Sequence, residues 1–138
     1  MARADFQLLL AVIAPLLIWP WVPAGDYAYA ENGFFNTVAL FTLVPIVEEI
    51  VFRGFLQGWL LQKSWFGKQT AGASRANWFT SIAFATVHLW QHALFLAPGY
   101  LMVSLLLGHF RERYHGILVP VLLHGYYNLG LILLVNYK

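Results

Sequence analysis

Residues 34–61 read FFNTVALFTLVPIVEEIVFRGFLQGWLL, an apolar run that is long enough to form a membrane-spanning helix. A helix needs about 20 largely apolar residues to cross the hydrocarbon core of a bilayer. The run nevertheless carries three charged side chains, which are Glu48, Glu49 and Arg53. Because a charge at the bilayer centre costs about 2.5–3.5 kcal/mol on insertion scales, these side chains must face one another or a polar cavity.

The composition of the whole chain also indicates a membrane protein. Of the 138 residues, 60% are hydrophobic and only 10% are charged, whereas soluble domains carry roughly 25% charged residues. This balance excludes a disordered chain and a nucleic-acid-binding surface. Cysteine is absent, which excludes disulfides, thiolate metal sites and a cysteine nucleophile. The length predicts one domain, residues 1–138.

Four further apolar stretches complete the predicted fold, which is an all-α bundle of about five transmembrane helices. We expect the third helix to end at Pro98-Gly99, a dipeptide that breaks helices. The fourth stretch is short, so it either extends through Tyr114 and spans the membrane fully or forms a partial helix that is buried among the others. The five predicted spans are Phe6–Val22, Phe34–Leu61, Trp78–Ala97, Tyr100–Phe110 and Gly116–Val135.

The remaining charges are expected at helix ends and in loops, where they predict the orientation of the chain. Basic residues concentrate in alternate segments, so the positive-inside rule predicts a cytoplasmic N-terminus and a multi-pass protein of the plasma (inner) membrane. The alternative is a signal peptide cleaved near Ala28-Tyr29-Ala30, which leaves the orientation of the other helices unchanged. The basic segments contain Arg3, then Lys63, Lys68 and Arg75, and finally Arg111 and Arg113.

Polar residues of other predicted spans lie at a depth similar to that of the three charges. Glu49 and Arg53 are four residues apart and can pair on one helical face, which leaves Glu48 as a second carboxylate. Such intramembrane acids are candidates for function. At 1.5 Å per residue, we expect a shared layer near mid-membrane. The residues that join Glu48 in it are His88, His124 and Asn128.

The residue types of this layer fit hydrolysis without a covalent nucleophile. A carboxylate beside an imidazole can hold and deprotonate a water molecule. A second imidazole and an amide can donate hydrogen bonds to an oxyanion. Serine catalysis is less favoured because Ser81 and Ser104 lack a G-x-S-x-G context. A zinc site at His88 and His92 is possible but not favoured, since no zinc motif occurs, and we expect no cofactor.

Three short motifs carry a resemblance to a known family. The string EEIVFRG at residues 48–54 resembles the EExxxR motif of the CPBP family, the prokaryotic relatives of the type II CaaX prenyl endopeptidases, which include abortive-infection-like proteins. FATVH at residues 84–88 resembles the FxxxH motif of that family, and HGYYN at residues 124–128 its HxxxN motif. The resemblance covers roughly Phe41 to Gly130, in the order of the family.

The resemblance implies an intramembrane endopeptidase of the glutamate type, which cleaves a membrane-associated protein or peptide near its end. Membrane lipids and that substrate are the expected partners, nucleic acid is not, and prenylation of the substrate is not assumed because the chain is short. The resemblance implies that Glu48 is the general base and that His88 shares this task. It also implies that His124 and Asn128 line the oxyanion hole and that Glu49 and Arg53 support the site.

Two non-proteolytic functions remain as alternatives. The first is a membrane immunity or scaffold protein that keeps the polar layer for helix packing. The second is a proton or ion carrier, because buried acids and histidines also form relays. The carrier is less favoured because the sequence shows no two-half repeat.

Overall fold

The computed structural model describes residues 2–19, 33–90 and 94–136, which are mostly helical. They form two compact units. The terminal unit comprises Met1–Pro45 and Leu122–Lys138, and the central unit comprises Ile46–Val121. The single domain of the sequence analysis stays a prediction.

The described residues form eleven short or long elements, given in chain order. The elements are α1 Ala2–Ile18, α2 Phe34–Phe41, α3 Leu43–Glu49, a π-helix Ile50–Gln57, α4 Gly58–Leu61, β1 Gln69–Thr70, β2 Ala73–Ser74, α5 Arg75–Leu89, a 3-10 turn Leu94–Leu96, α6 Ala97–Tyr114 and α7 Leu118–Asn136.

In the terminal unit, α7 packs against α1 and α2. The hydroxyl of Tyr127 donates to the carbonyl oxygen of Ala11 on α1 at 3.0 Å. At the contact of α7 with α2, a Cβ atom added to Gly125 would lie only 2.5 Å from the carbonyl oxygen of Phe41. A glycine at this position therefore permits the close approach of the two helices.

In the central unit, α5 and α6 run antiparallel. Near one end of the pair, Asn77 Nδ2 donates to the carbonyl oxygen of Leu105 at 2.9 Å. Near the other end, the ring of His88 meets the ring of Tyr100. Gly108 lies directly against the Asn77 side chain, which a Cβ atom at this position would overlap. The missing side chain of Gly108 lets the two helices approach closely.

A short hairpin precedes α5, which the all-α prediction did not include. Its strands pair Gln69 with Ser74 and Thr70 with Ala73. The two-residue turn places Ala71 and Gly72 at φ values of 49° and 82°, the left-handed conformation that a tight hairpin turn requires. Ser74 then caps α5, because its hydroxyl oxygen accepts a hydrogen bond from the backbone N–H of Asn77.

The boundary between the third and fourth predicted spans was wrong. Helix α5 ends at Leu89 rather than at Ala97. Pro98 and Gly99 do not break a helix but lie in the first turn of α6, where a proline costs nothing because its missing N–H has no intrahelical partner. The fourth helix does extend through Tyr114.

Two of the described helices are long and apolar enough to cross a membrane, Phe35–Leu61 and Leu94–Tyr114. Phe6–Ile18 and Leu118–Leu133 are shorter apolar helices. Large apolar side chains are exposed on several of them, for example Phe55 at 73% and Met102 at 72%. A surface of this kind requires an apolar environment or a partner. The five-span bundle and its orientation stay predictions, and the cleavage alternative at 28–30 lies outside the described residues.

Candidate active site

Glu48 and His88 lie together in the central unit. Glu48 is in the last turn of α3, and His88 is in the last turn of α5. His88 Nε2 is 3.8 Å from Glu48 Oε1, and the two side chains are 17% and 25% exposed, respectively. The structure therefore brings together two of the four predicted catalytic residues, in a position that is partly accessible from outside the protein.

The orientation of the His88 ring follows from a local hydrogen bond. His88 Nδ1 lies 2.9 Å from the carbonyl oxygen of Phe84, one turn earlier on α5. Because a carbonyl oxygen can only accept, Nδ1 carries the hydrogen, and Nε2 is the acceptor in the neutral imidazole. The lone pair of Nε2 is thus available on the side of Glu48.

Glu49 and Arg53 form a second, fully buried pair. Arg53 Nε is 3.1 Å from Glu49 Oε2, and both side chains are 0% exposed. Arg53 Nη2 also donates to the carbonyl oxygen of Ser104 at 3.0 Å and to its Oγ at 2.8 Å. Burial of an ion costs several kcal/mol, and the ion pair and the two hydrogen bonds offset part of that cost. The four-residue spacing predicts this pair.

The two serines that the sequence analysis considered as nucleophiles are buried and take part in helix packing. Ser104 Oγ accepts the hydrogen bond from Arg53, and Ser81 Oγ donates to Asn77 Oδ1 at 3.1 Å. Both residues are 0% exposed. These contacts give each hydroxyl a structural partner, which agrees with the lower rank given to serine catalysis.

A polar network that the sequence analysis missed continues from Arg53 toward the hairpin. Gln57 Nε2 donates to the carbonyl oxygen of Gly108 at 3.1 Å and to Glu112 Oε1 at 2.8 Å. The hydroxyl of Ser74 donates to the same carboxylate oxygen. Glu112, in the last turn of α6, therefore links three elements, a role that its charge alone did not indicate. One signal was available, since Gln57 continues the four-residue spacing of Glu49 and Arg53.

The backbone that carries this network is a π-helix, which the apolar periodicity did not predict. It runs from Ile50 to Gln57, directly after the two glutamates. Arg111 Nε on α6 donates to the carbonyl oxygen of Arg53 within it at 3.1 Å. Turns of this type are rare and occur frequently at functional sites.

The other two predicted catalytic residues, His124 and Asn128, lie on α7 in the terminal unit. They are four residues apart on the same helix, and His124 is 5% exposed. Asn128 Nδ2 donates to the carbonyl oxygen of Leu40 at 3.0 Å. A single layer that joins these two residues with Glu48 and His88 stays a prediction.

Within residues 2–19, 33–90 and 94–136, no group of three or more His, Cys, Asp or Glu side chains could hold a metal ion. His92, the second ligand of the zinc alternative, lies outside these ranges. The zinc alternative and the expected absence of a cofactor both stay predictions.

A comparison with family models matches residues 30–130 to Rce1-like proteins, described as type II CAAX prenyl endopeptidase Rce1-like. The match covers more than half of the chain and includes all three motifs. No curated protein and no solved structure matches the chain. The matched family consists of membrane-embedded peptidases, so the match supports a peptidase role at this level and confirms the CPBP resemblance. The chain therefore belongs to the Rce1-like family of type II CAAX prenyl endopeptidases.

Proposed function

We propose that this chain is an intramembrane endopeptidase of the glutamate type in the plasma (inner) membrane. Its substrate would be a membrane-associated protein or peptide that it cleaves near one end, with or without a prenyl group. The observation that carries the proposal is the contact between Glu48 and His88, which are 3.8 Å apart and partly exposed. A base and its partner within this distance can share one water molecule.

In the proposed reaction, Glu48 accepts a proton from that water as the water oxygen attacks the carbonyl carbon of the scissile bond. His88 accepts the second hydrogen bond of the water through Nε2, the nitrogen that its bond to Phe84 leaves as acceptor. The tetrahedral intermediate then collapses, the C–N bond breaks, and the proton held by Glu48 passes to the leaving nitrogen. No covalent enzyme intermediate forms.

We assign stabilisation of the oxyanion to His124 and Asn128. An asparagine amide has two N–H groups, and the bond to Leu40 uses one of them. The second can donate to a developing negative charge. In other enzymes, removal of one such donor lowers the rate by about 10²–10³-fold. Contact of both residues with the substrate is part of the proposal.

The proposal gives Glu49 and Arg53 a supporting role. Both are fully buried and bonded to each other, so neither can reach a water molecule that enters from outside. Their ion pair, together with the bonds from Arg53 to Ser104, holds the helix that carries Glu48 in a fixed rotation. Of the two adjacent carboxylates, that of Glu48 thus takes part in the reaction and that of Glu49 supports the helix.

The experiment compares wild type with Glu48→Gln and His88→Ala in the same membranes, using mass spectrometry of new protein termini. Both variants should insert normally, and their cleavage rate should fall by about 10²–10⁴-fold, the usual contribution of a general base. His115→Asn is the matched control, because His115 is exposed and Asn tolerates its φ of 52°. It should cleave like wild type.

The same experiment distinguishes the alternatives. Retained cleavage by purified Glu48→Gln would contradict the proposal. If no cleavage occurs even in wild type and the biological function survives in Glu48→Gln, a scaffold or immunity role is favoured. Wild-type activity should also persist after thorough metal removal, whereas loss that zinc restores would favour the zinc-dependent protease.

A further inference from the structure

Two aromatic rings pack on the His88 imidazole. The Phe84 ring, one turn earlier on α5, stacks at 4.2 Å between centroids with 29° between the planes. The Tyr100 ring, in the first turns of α6, lies at 4.8 Å and 33°. Phe84 is a local neighbour in the same helix, whereas Tyr100 reaches His88 from another helix. The ring of Tyr100 therefore ties the orientation of the imidazole to the packing of α5 against α6.

Each contact of His88 restricts a different property of the ring. Rotation about the Cβ–Cγ bond of histidine is broad, so the rotamer alone does not fix the plane of the imidazole. Two neighbouring rings at 29° and 33° to the imidazole disfavour planes turned far from this one, but they permit the two orientations that differ by a half-turn. The hydrogen bond from Nδ1 to Phe84 selects one of these two orientations.

The ring of Phe84 has further partners that determine where it lies. The guanidinium carbon of Arg53 lies 4.8 Å above the ring centroid, and the ring of Phe52 meets its edge at 5.1 Å. These contacts fix the Phe84 ring in the buried network. The ring of Tyr100 on α6 is a separate restriction on the His88 ring.

We propose that Tyr100 is a positioning residue, whose ring holds the His88 imidazole in the plane in which Nε2 points toward Glu48. This inference rests on the proposed function, because it gives Tyr100 a part in the same reaction. The proposed role belongs to the aromatic ring, which is the part of Tyr100 that packs on the imidazole. Tyr100 lies outside the three sequence motifs.

The test uses the full chain in lipid nanodiscs with ¹⁵N-labelled histidine. Nitrogen chemical shifts distinguish a ring protonated at Nδ1 from one protonated at Nε2, and a His88→Gln spectrum assigns the signal among the five histidines. Wild type and Tyr100→Phe should show His88 as the Nδ1–H form. Tyr100→Leu and Tyr100→Met should show a mixture of the two forms.

The kinetic readout should follow the same pattern. An aromatic pair shifts an equilibrium about two- to tenfold, so kcat should fall by about that factor in Tyr100→Leu while KM stays unchanged. Tyr114→Leu is the matched control on the same helix, because Tyr114 stacks on Phe110 at 6.0 Å, away from His88. It should leave both the His88 spectrum and kcat unchanged.

Three results would overturn the inference. They are an unchanged His88 spectrum in folded Tyr100→Leu and Tyr100→Met, an effect of Tyr100→Phe equal to that of Tyr100→Leu, or an equal effect of Tyr114→Leu. The spectrum needs no substrate. If wild type has no protease activity, the proposed function fails while the nitrogen shifts still decide whether Tyr100 holds the ring.

Discussion

The adjacent glutamates of the central unit have opposite environments. Glu49 is 0% exposed and pairs with Arg53, which is itself bonded to Ser104. The Glu48 side chain is 25% exposed and lies near His88, at a distance longer than a direct hydrogen bond. One step along a helix rotates a side chain by about 100°, and here that rotation separates a buried, ion-paired carboxylate from an accessible one.

This contrast shows how the helix can keep a rigid support beside a reactive group. The buried pair is expensive to form, and removal of one partner leaves an uncompensated charge. The accessible pair should contribute little to folding, because the two side chains are partly exposed and lie farther apart than a direct hydrogen bond. Substitutions in the two pairs should therefore separate stability from activity.

The largest effect on stability is expected from Arg53→Gln. It leaves Glu49 buried without its cation, so the free energy of unfolding should fall by about 3–5 kcal/mol. Reversible unfolding in mixed detergent micelles measures the change. Arg113→Gln is the control, because Arg113 is exposed on α6, and it should change stability by less than about 0.5 kcal/mol. A loss below about 1 kcal/mol for Arg53→Gln would remove the contrast between the two pairs.

A smaller effect is expected at the contact that holds α5 against α6 beside the buried pair. In Gly108→Ala the new methyl group overlaps the Asn77 side chain, which two hydrogen bonds hold in place. Overpacking of this kind costs about 1–3 kcal/mol. Gly99→Ala in the same helix has no atom within 4 Å of its new Cβ and should be neutral or slightly stabilising. Equal thermal stability of the two variants would show that Asn77 can move aside.

The smallest change in stability is expected from Glu48→Gln, the variant with the largest proposed effect on activity. Its carboxylate is partly exposed, so the free energy of unfolding should change by less than about 1 kcal/mol. The same micelle measurement applies to the purified variant. A loss as large as that of Arg53→Gln would mean that Glu48 supports the fold as Glu49 does.

The sequence predicted those features that depend on residues close along the chain. The spacing of Glu49 and Arg53 predicted their pairing, and the apolar run predicted the helix that carries them. Length and composition also predicted a helix through Leu61. Such features follow from helical periodicity, which a sequence displays directly.

The features that were missed depend on contacts between distant residues. Glu112 does lie in the last turn of α6, as its charge indicated, but its role as the acceptor for Gln57 and Ser74 depends on how distant segments approach one another. The role of Pro98 depended on whether a helix ended or began there, which the dipeptide alone does not decide. The ring contact between Tyr100 and His88 joins two helices, and no spacing rule connects them.

The π-helix from Ile50 to Gln57 has a consequence for how this chain tolerates changes in length. Deletion of one residue from it could restore α-helical winding and leave the EExxxR string intact if it falls after Arg53. A π-helix holds about one more residue in each hydrogen-bonded turn than an α-helix, so Gln57 and the turns beyond it would keep nearly the same rotation relative to Glu48. This segment can therefore lose one residue after Arg53 at little cost to the direction in which Gln57 points. A relative with the same motif and a segment one residue shorter would still be able to form the contact between Gln57 and Glu112.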